Sequence, residues 1–365
     1  MRRYFRFSFC LILISMGLFL FQNVVAETVV GGIINKDTRW TAEEGPYVVT
    51  QDILVGKNAH LAIGAGTMVL IGKERVRNRA VPQLDALDSG TISIVIQGGF
   101  ECVGMADKRI SFMPEGAAGS GPCWYGIVFK NAPDKGVELG YVDISGAYNA
   151  ISVFNCGPSV HHCRIDYNNV GIVCQQRGNV MAVNNVIAQN FTFGVKISQS
   201  NPVFQNNIIA FNKSNGLWCD GASAITFEYN CMYGNLDGNL LDCDPDLGVM
   251  KKKNDKKDST DVKNNIFKNP IFAGSEFDSI AVERDISLPT DKSRIKDTTL
   301  AKEIHEELSD SSAEKKRKKP SDRYTLSRYS PCIHAGNPGG DFKNGDKSRN
   351  DMGMYGGSKF TPQRD

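Results

Sequence analysis

The sequence predicts an all-β fold in which the chain winds into a solenoid of stacked coils. One series of strand-like segments recurs at intervals of 24, 21, 23 and 22 residues, starting at Gly126, Ala150, Gly171, Gly194 and Gly216. A second series recurs at intervals of 22, 22 and 23 residues, starting at His161, Val183, Gln205 and Glu228. A repeat of about 22 residues holding two short strands is too short for a helix pair and suits one coil of a β-solenoid.

Alternation within the first series predicts which side chains face the core. Side chains two residues apart share one face of a strand, so stacked coils bring equivalent residues into columns. The first inward column is Ile127, Ile151, Ile172, Val195 and Leu217, and the second is Phe129, Val153, Cys174, Ile197 and Cys219. Every member is apolar or a thiol, which is the composition expected of a buried stack.

An asparagine recurs at one turn of each repeat, at Asn168, Asn190, Asn212 and Asn235. Asparagine tolerates unusual backbone angles, and its amide can hydrogen-bond to the coil above or below. The alternative fold, an antiparallel sandwich, would need hairpin turns between strands and would not keep these columns in register.

Charge argues against a nucleic-acid partner. The chain has 42 Lys and Arg against 40 Asp and Glu, and Arg2, Arg3 and Arg6 lie in an acid-free leader, which leaves 42 − 3 = 39 basic residues against 40 acidic ones. A near-neutral chain offers no basic surface to neutralise phosphates.

Residues 1–26 have the pattern of an export signal. Basic residues precede an apolar run from about Phe7 to Phe21, and Val24-Val25-Ala26 suits a signal peptidase. We therefore expect an exported protein, periplasmic, secreted or at the cell surface, with no membrane span after cleavage. A single anchoring helix is the alternative, but the uncharged stretch is barely long enough to span a bilayer.

The remaining chain divides into three predicted parts. Residues 27–245 form the parallel β-helix, residues 246–328 a charged insertion with a lead-in segment, and residues 329–365 a C-terminal module. Within the insertion, 251–263 is expected to be a solvated loop. A short helix is expected at 298–309, because Leu300, Ile304 and Leu308 recur on one face.

Several segments resemble the right-handed parallel β-helix superfamily, the pectate-lyase-like fold. The coils carry its Asn-rich pattern, and Arg39–Val49, Leu61–Gly72 and Lys108–Glu115 resemble the first coils of secreted members. Tyr329–Gly340 and Lys347–Gly357 resemble a C-terminal module that follows many extracytoplasmic β-helices. The resemblance implies the fold and an exported location. Activities within the superfamily range from lyases and hydrolases to adhesins, so it does not imply one chemistry.

Cysteine spacing gives one firm expectation. Cys174 and Cys219 share an inward column but are two coils apart, about 9.6 Å, which exceeds the roughly 7 Å limit for a disulfide. They should not bond. The pairs Cys156–Cys163 and Cys243–Cys332 stay open.

The outward side of the first strand series carries the candidate site. Its columns are Val128, Ser152, Val173, Lys196, Trp218 and, two residues on, Lys130, Phe154, Gln175, Ser198, Asp220. A sugar-binding face needs a ring to stack on, a cation for uronate and hydrogen-bonding groups. The predicted ligand-binding residues are therefore Trp218, Asp220, Gln175 and Phe154. Lys196 and Arg177 are the candidate catalytic pair, because lyases of this fold use a cation and a Lys or Arg base.

Calcium is the only cofactor that the sequence suggests, and the sequence does not establish that any cofactor binds. Asp242, Asp244 and Asp246 alternate and offer oxygen ligands of the type calcium prefers, although the pattern departs from an EF-hand loop. Asp341, Asp346 and Asp351 are a second acidic set that can equally cap turns. His161 and His162 are expected to be structural, since adjacent side chains on a strand point to opposite faces.

Three functions fit these patterns. The first is an exported β-helix that binds polysaccharide or a cell-surface component without catalysis. The second is a polysaccharide lyase or glycoside hydrolase, which the absence of paired carboxylates in the sequence disfavours. The third is a structural envelope or adhesin-like solenoid.

Overall fold

The protein is an all-β parallel solenoid of about 8 turns with about 23 residues per turn. The computed structural model describes residues 27–72, 91–116, 121–273 and 323–357. Each coil contributes one short strand to each of three faces, and every strand of the solenoid pairs in parallel with its equivalent in the next coil. The predicted fold class is confirmed.

The first face carries the first repeat series. Its strands are β6 (Ser93–Ile96), β9 (Gly126–Lys130), β12 (Asn149–Cys156), β15 (Val170–Gly178), β18 (Val195–Ser198), β21 (Asn215–Cys219) and β24 (Gly238–Leu241). Two strands at the N-terminal end, β1 (Thr28–Ile34) and β3 (Tyr47–Val55), run continuously from the third face into the first.

The second face is an eight-stranded sheet of its own. Its strands are β2 (Thr38–Trp40), β4 (His60–Ile63), β7 (Gly99–Val103), β10 (Val137–Gly140), β13 (Ser159–His161), β16 (Met181–Val183), β19 (Val203–Gln205) and β22 (Thr226–Glu228). The third face follows, with β5 (Met68–Ile71), β8 (Ile110–Pro114), β11 (Val142–Ile144), β14 (Arg164–Asp166), β17 (Val186–Ala188), β20 (Ile208–Ala210) and β23 (Cys231–Tyr233).

The inward columns lie where the repeat predicts them. Strand pairing aligns Ile127, Ile151, Ile172, Val195 and Leu217, and it aligns Phe129, Val153, Cys174, Ile197 and Cys219. All ten side chains are buried in one continuous core. Cys174 and Cys219 are separated by the coil that carries Ile197, so the expectation that they do not bond is confirmed, and all cysteines of the described residues have free thiols.

The recurring asparagines form a buried hydrogen-bonded ladder inside one corner. From Asn190 onward, each side-chain oxygen accepts from the backbone N–H and the amide of the asparagine one coil earlier, as Asn190 does from Asn168 at 3.1 and 3.2 Å. Asn212 and Asn235 continue the series. The left-handed residue at this corner is the one before the asparagine, Tyr167, Gln189 or Phe211, rather than the asparagine itself.

A second ladder occupies the corner between the second and third faces, and the repeat analysis missed it. Its members are Asn185, Asn207, Asn230 and Asn265, all buried, and Asp261 caps its end. Asn265 lies beyond the predicted boundary at residue 245, so the stacked structure continues into the lead-in segment. Ile266 likewise bridges to Cys231 of β23.

The C-terminal segment, residues 323–357, packs on the outside of the third face. Outward side chains of β17, β20 and β23 form a second apolar cluster with Tyr324, Cys332, Met352 and Met354. The only helical turn in the described residues is a short 3-10 helix within this segment, Gly340–Phe342.

Residues 251–263 are not simply a solvated loop. They form an antiparallel hairpin of β25 (Lys252–Lys253) and β26 (Ser259–Thr260), and Thr260 and Asp261 at its end are buried. The Lys256 ammonium group donates to two carbonyl oxygens of the C-terminal segment, those of Ser330 and Ile333, each at 3.1 Å.

Two other predictions fall outside the described residues, the signal peptide at 1–26 and the helix at 298–309. Among the residues that the structure describes, none form a helix long and apolar enough to cross a membrane.

Candidate functional site

The outward columns of the first face also lie in the predicted register. Lys196 pairs with Trp218, and Gln175 pairs with Phe154 on one side and Ser198 on the other. Coils stack about 4.8 Å apart and residues two positions apart on a strand are about 6.6 Å apart, so these side chains form a compact grid. The structure therefore places all the predicted ligand-binding and catalytic residues on one face or on the turn that follows it.

Lys196 is the centre of an aromatic stack. Its ammonium nitrogen lies 5.2 Å from the ring centroid of Trp218 and 5.1 Å from that of Phe193. The half-buried Trp218 is fixed in turn, because its indole N–H donates to Asp242 at 3.1 Å. A second pair repeats this chemistry nearby, with the Lys213 ammonium 4.7 Å from the ring of Phe191. These contacts hold lysine cations over rings at a partly exposed surface.

Beside this stack lies an open groove of about 440 Å³. It follows the turn after the first face and is lined by Lys130, Asn131, Phe154, Asn155, Gln176, Arg177 and Gln199. Asn131, Asn155, Gln176, Arg177 and Gln199 all have positive φ, between 49° and 64°. The four coils that line the groove turn in the same left-handed way here, so the turns stack into a continuous trough with exposed amide and guanidinium groups.

Arg177 and Lys196 are not equivalent in this surface. Arg177 is exposed in the groove and its backbone N–H is held by the carbonyl of Gln199 at 2.7 Å. Lys196 lies outside the groove lining, with its cation against two rings. Arg177 thus lines the groove whereas Lys196 does not, and their role as a catalytic pair stays a prediction.

Asp220 is engaged by the protein itself. One carboxylate oxygen accepts from Ser198 at 2.9 Å and from the Gln199 N–H at 2.7 Å, and the other accepts from Ala222 and Ser223. Desolvation raises the pKa of Asp220, but these hydrogen bonds outweigh it and lower that pKa overall. Its chemistry is that of a turn anchor that orients Ser198 at the edge of the groove.

The upstream part of the same face is closed. Val128, Ser152 and Val173 point outward as predicted, yet all three are buried. Val95 and Val128 form a small external cluster, against which Leu54, Tyr125 and Phe154 pack. Phe154 therefore serves both as a wall of the groove and as cover for this cluster, so the outward positions of Val128, Ser152 and Val173 are closed to solvent.

The three aspartates proposed as calcium ligands each contact a different group of the protein. Asp242 accepts from Trp218, Asp244 caps the Asp246 backbone at 2.9 Å, and Asp246 pairs with the Lys251 ammonium at 2.8 Å, which lowers the pKa of Asp246. No group of three or more His, Cys, Asp or Glu side chains suited to a metal ion occurs in the described part of the chain. Calcium stays a prediction. In the second acidic set, Asp346 and Asp351 accept from the backbone N–H groups of Ser348 and His334.

The expectation for His161 and His162 was wrong in its geometry. Their Nδ1 atoms lie 2.9 Å apart because the chain turns at His162, where φ is 53°, so both rings project on the same side. His161 Nε2 contacts the Glu138 carboxylate at 2.7 Å, and its ring lies where a Cβ on Gly140 would be only 2.4 Å away. The pair is buried, as a structural role requires.

The functional residues that the sequence did not predict are those whose side-chain direction depends on a turn. Phe193, Lys213, Asn131 and Gln199 lie just outside the strand columns, where alternation gives no information about direction. Their recurrence beside the Asn190 and Asn212 corner, or after each first-face strand, is the signal that would have found them.

Comparison with known proteins supports the fold. The model of the family described as "right handed beta helix region" matches residues 110–242. Comparison with curated proteins gave no match. Among solved structures, the periplasmic alginate epimerase AlgG aligns with 14% identity, 67% of this chain, 70% of that chain and a TM-score of 0.28. A single-substitution variant of that enzyme aligns with 14% identity, coverages of 62% and 67%, and a TM-score of 0.26. Alignments this weak carry no functional argument. The family match, with the parallel three-faced coils, agrees with a right-handed β-helix.

Proposed function

We propose that this protein binds polysaccharide chains along the outside of its first face, after export from the cytoplasm, and prefers chains that carry carboxylate groups. The observation that carries the proposal is the stack of Phe193, Lys196 and Trp218 beside the groove. A ring fixed by its own hydrogen bond can receive the apolar side of a sugar, while the adjacent ammonium group can pair with a sugar carboxylate.

The groove extends this contact along the solenoid. Arg177 and Lys130 supply further cations there, and Asn131, Asn155, Gln176 and Gln199 supply amides. From Arg177 to Trp218 is on the order of 15 Å by coil spacing and strand rise, enough for an oligosaccharide of several units. Recognition would therefore need a chain rather than a single sugar.

Affinity electrophoresis and calorimetry with polygalacturonate and with uncharged dextran test the proposal. We expect binding to polygalacturonate that weakens as salt rises, because partly exposed charges are screened, and weaker binding to dextran. Trp218→Ala should weaken binding by roughly 5- to 150-fold, the equivalent of about 1–3 kcal/mol for one buried aromatic contact.

The matched control is Tyr355→Ala, which removes an aromatic side chain that is 39% exposed on the C-terminal segment. It should bind like the wild type. If neither polysaccharide binds, or if Trp218→Ala binds as tightly as the wild type, the first face is not the binding surface. The structural or adhesin-like alternative would then gain support.

A further inference from the structure

Two cysteines from successive coils meet at the C-terminal end of the core. Cys219 ends β21 in the inward column, and Cys243 follows β24 in the coil stacked on it. Their Sγ atoms lie 3.2 Å apart. The strand register by itself would set Asp242 beside Cys219, since Leu217 pairs with Leu240 and Trp218 with Leu241. Asp242 instead adopts a left-handed conformation, with φ at 55°, and the next residue, Cys243, takes the place over Cys219.

This placement satisfies the geometric needs of a disulfide. Coils stack about 4.8 Å apart, which falls within the roughly 4.4–6.8 Å Cα separation of disulfide-bonded cysteines. Closing the bond requires the sulfur atoms to approach by a little over 1 Å, to about 2.05 Å. The pair differs in this respect from Cys174 and Cys219, which are two coils apart.

The two thiols are also unequal in access and acidity. Cys219 is buried, whereas Cys243 is only half-buried and can be reached from solvent. The hydrogen bond between the two sulfur atoms lowers the pKa of Cys243, while the same bond and burial raise the pKa of Cys219. Because the thiolate is the attacking species, Cys243 is the residue that would react first with an oxidant.

We propose that Cys219 and Cys243 are a disulfide-forming site that closes the coil of β24 onto the coil of β21. The Cys243 thiolate attacks oxidised glutathione, or the disulfide of a thiol oxidoreductase, and releases one thiol of that oxidant. The Cys219 thiolate then displaces the second. Two protein thiols become one disulfide, two electrons pass to the oxidant, and the oxidant leaves as two thiols.

Closure ties together residues 24 positions apart in the chain. A cross-link of that span restricts the unfolded chain and also fastens β24 to β21, the final strand pair of the first face in the part of the chain that the structure describes. We expect oxidation to raise the melting temperature by about 5–10 °C, and dithiothreitol to reverse the rise.

Peptide mapping tests the pairing directly. Trypsin leaves Cys219, Cys231 and Cys243 on one peptide, residues 214–251, because no Lys or Arg lies between Lys213 and Lys251. The experiment therefore uses the full chain with Cys231→Ala, oxidised with glutathione disulfide and then alkylated. We expect this peptide to be unalkylated and lighter by the mass of two hydrogen atoms than its reduced form.

Two serine variants complete the test. Cys243→Ser should abolish both the mass change and the redox-dependent shift in melting temperature, whereas Cys123→Ser, at an exposed cysteine, should keep both. The reversal by dithiothreitol is measured on the wild type and does not depend on any variant folding. A peptide alkylated at both Cys219 and Cys243 after oxidation, or either residue linked to a different cysteine, would overturn the proposal.

Discussion

The ring Nε2 of His162 donates a hydrogen bond to the carbonyl oxygen of Gly356, 2.8 Å away and 194 residues later in the chain. Two asparagines act in the same way at the same corner of the following coils. Asn184 donates to Asn350 at 3.0 Å, and Asn206 accepts from the Asn337 backbone at 2.7 Å. One column of left-handed corner residues thus holds the C-terminal segment along the solenoid.

This contact fixes the tautomer of neutral His162. A carbonyl oxygen only accepts, so Nε2 carries the proton, and Nδ1 is left to accept from His161. Burial is the main cause that lowers the pKa of His162, to about 3, and the neighbouring His161 and Arg109 lower it further against the Gly356 bond. In the unfolded chain this imidazole binds a proton near pH 6.5, whereas in the folded chain it stays neutral at that pH. Folding is therefore destabilised as pH falls from about 6.5 towards 3, by up to about 1.4 kcal/mol per pH unit.

His162→Gln should remove that pH dependence. Glutamine can still donate to Gly356 but does not titrate, so we expect the variant to be less stable than wild type at pH 7.5 and to lose less stability between pH 6.5 and 4.5. Urea unfolding at a series of pH values measures both. A constant difference between the two proteins over this range would contradict a neutral His162.

The titration of Asp166 changes the pH dependence of stability in the opposite direction to that of His162, so the two contributions must be measured separately. Desolvation raises its pKa to about 6 against the influence of Arg164 and Arg323. The folded chain keeps this proton up to about pH 6, so its contribution to stability falls as pH rises from about 4 to 6. An Asp166→Asn background should therefore show a steeper loss of stability on acidification than the wild type, with the slope again removed by His162→Gln.

Asn207 is the central residue of the second ladder. Its amide donates to Ala182 and Asn230, and its side-chain oxygen accepts from Asn185. Asn207→Ala leaves these buried groups without partners, so we expect a loss of roughly 3 kcal/mol or more in the free energy of unfolding. Asn201→Ala removes an exposed asparagine that bonds to Ala224 at 3.0 Å, and it should cost less than about 1 kcal/mol. Similar losses in the two variants would mean that the ladder does not stabilise the solenoid.

The repeat was sufficient to predict the inward columns and the first ladder, because a buried position recurs with the coil period and admits few residue types. It was not sufficient where one residue leaves the strand conformation. In the doublets Asn184-Asn185 and Asn206-Asn207, the first residue turns outward to hold the C-terminal segment and the second turns inward to build the ladder. The two asparagines of each doublet therefore have different structural roles, and only their backbone φ angles distinguish these roles.

The repeat pattern also could not predict which side chains from other parts of the chain cover an outward-facing residue. Val128 has the outward position that alternation assigns to it, but Tyr125 and Phe154 close over it. The same limit applies to the groove, which arises from five left-handed residues in four successive coils, where alternation along a strand no longer predicts side-chain direction. For the candidate site, sequence reasoning identified the face and its columns, while the turns decided which side chains are accessible.

Ile172→Asp tests the core register. Ile172 is fully buried between Ile151 and Val195, so an aspartate there would carry an unpaired charge into the solenoid. The expected cost of several kcal/mol is comparable with the whole stability of a domain, and the variant should fail to fold or melt far below the wild type. Gln176→Asp makes the same change in charge on the same strand at an exposed position and should melt normally. Circular dichroism melts of both variants decide whether this column is the core.

Lys196 separates binding from catalysis. Its cation lies over Phe193 and Trp218, and Lys213 lies over Phe191 in the same manner, which provides a matched variant on the next coil. If the lysine only pairs with sugar carboxylates, Lys196→Ala and Lys213→Ala should each weaken polygalacturonate binding modestly, with no unsaturated product formed by the wild type. If the protein is a lyase in which Lys196 removes a proton, the wild type should generate ultraviolet-absorbing product. In that case Lys196→Ala should lower the rate of product formation by roughly 100-fold or more with little change in affinity, whereas Lys213→Ala should keep the wild-type rate. Because the Lys196 ammonium group rests on aromatic rings outside the groove lining, we expect the first result.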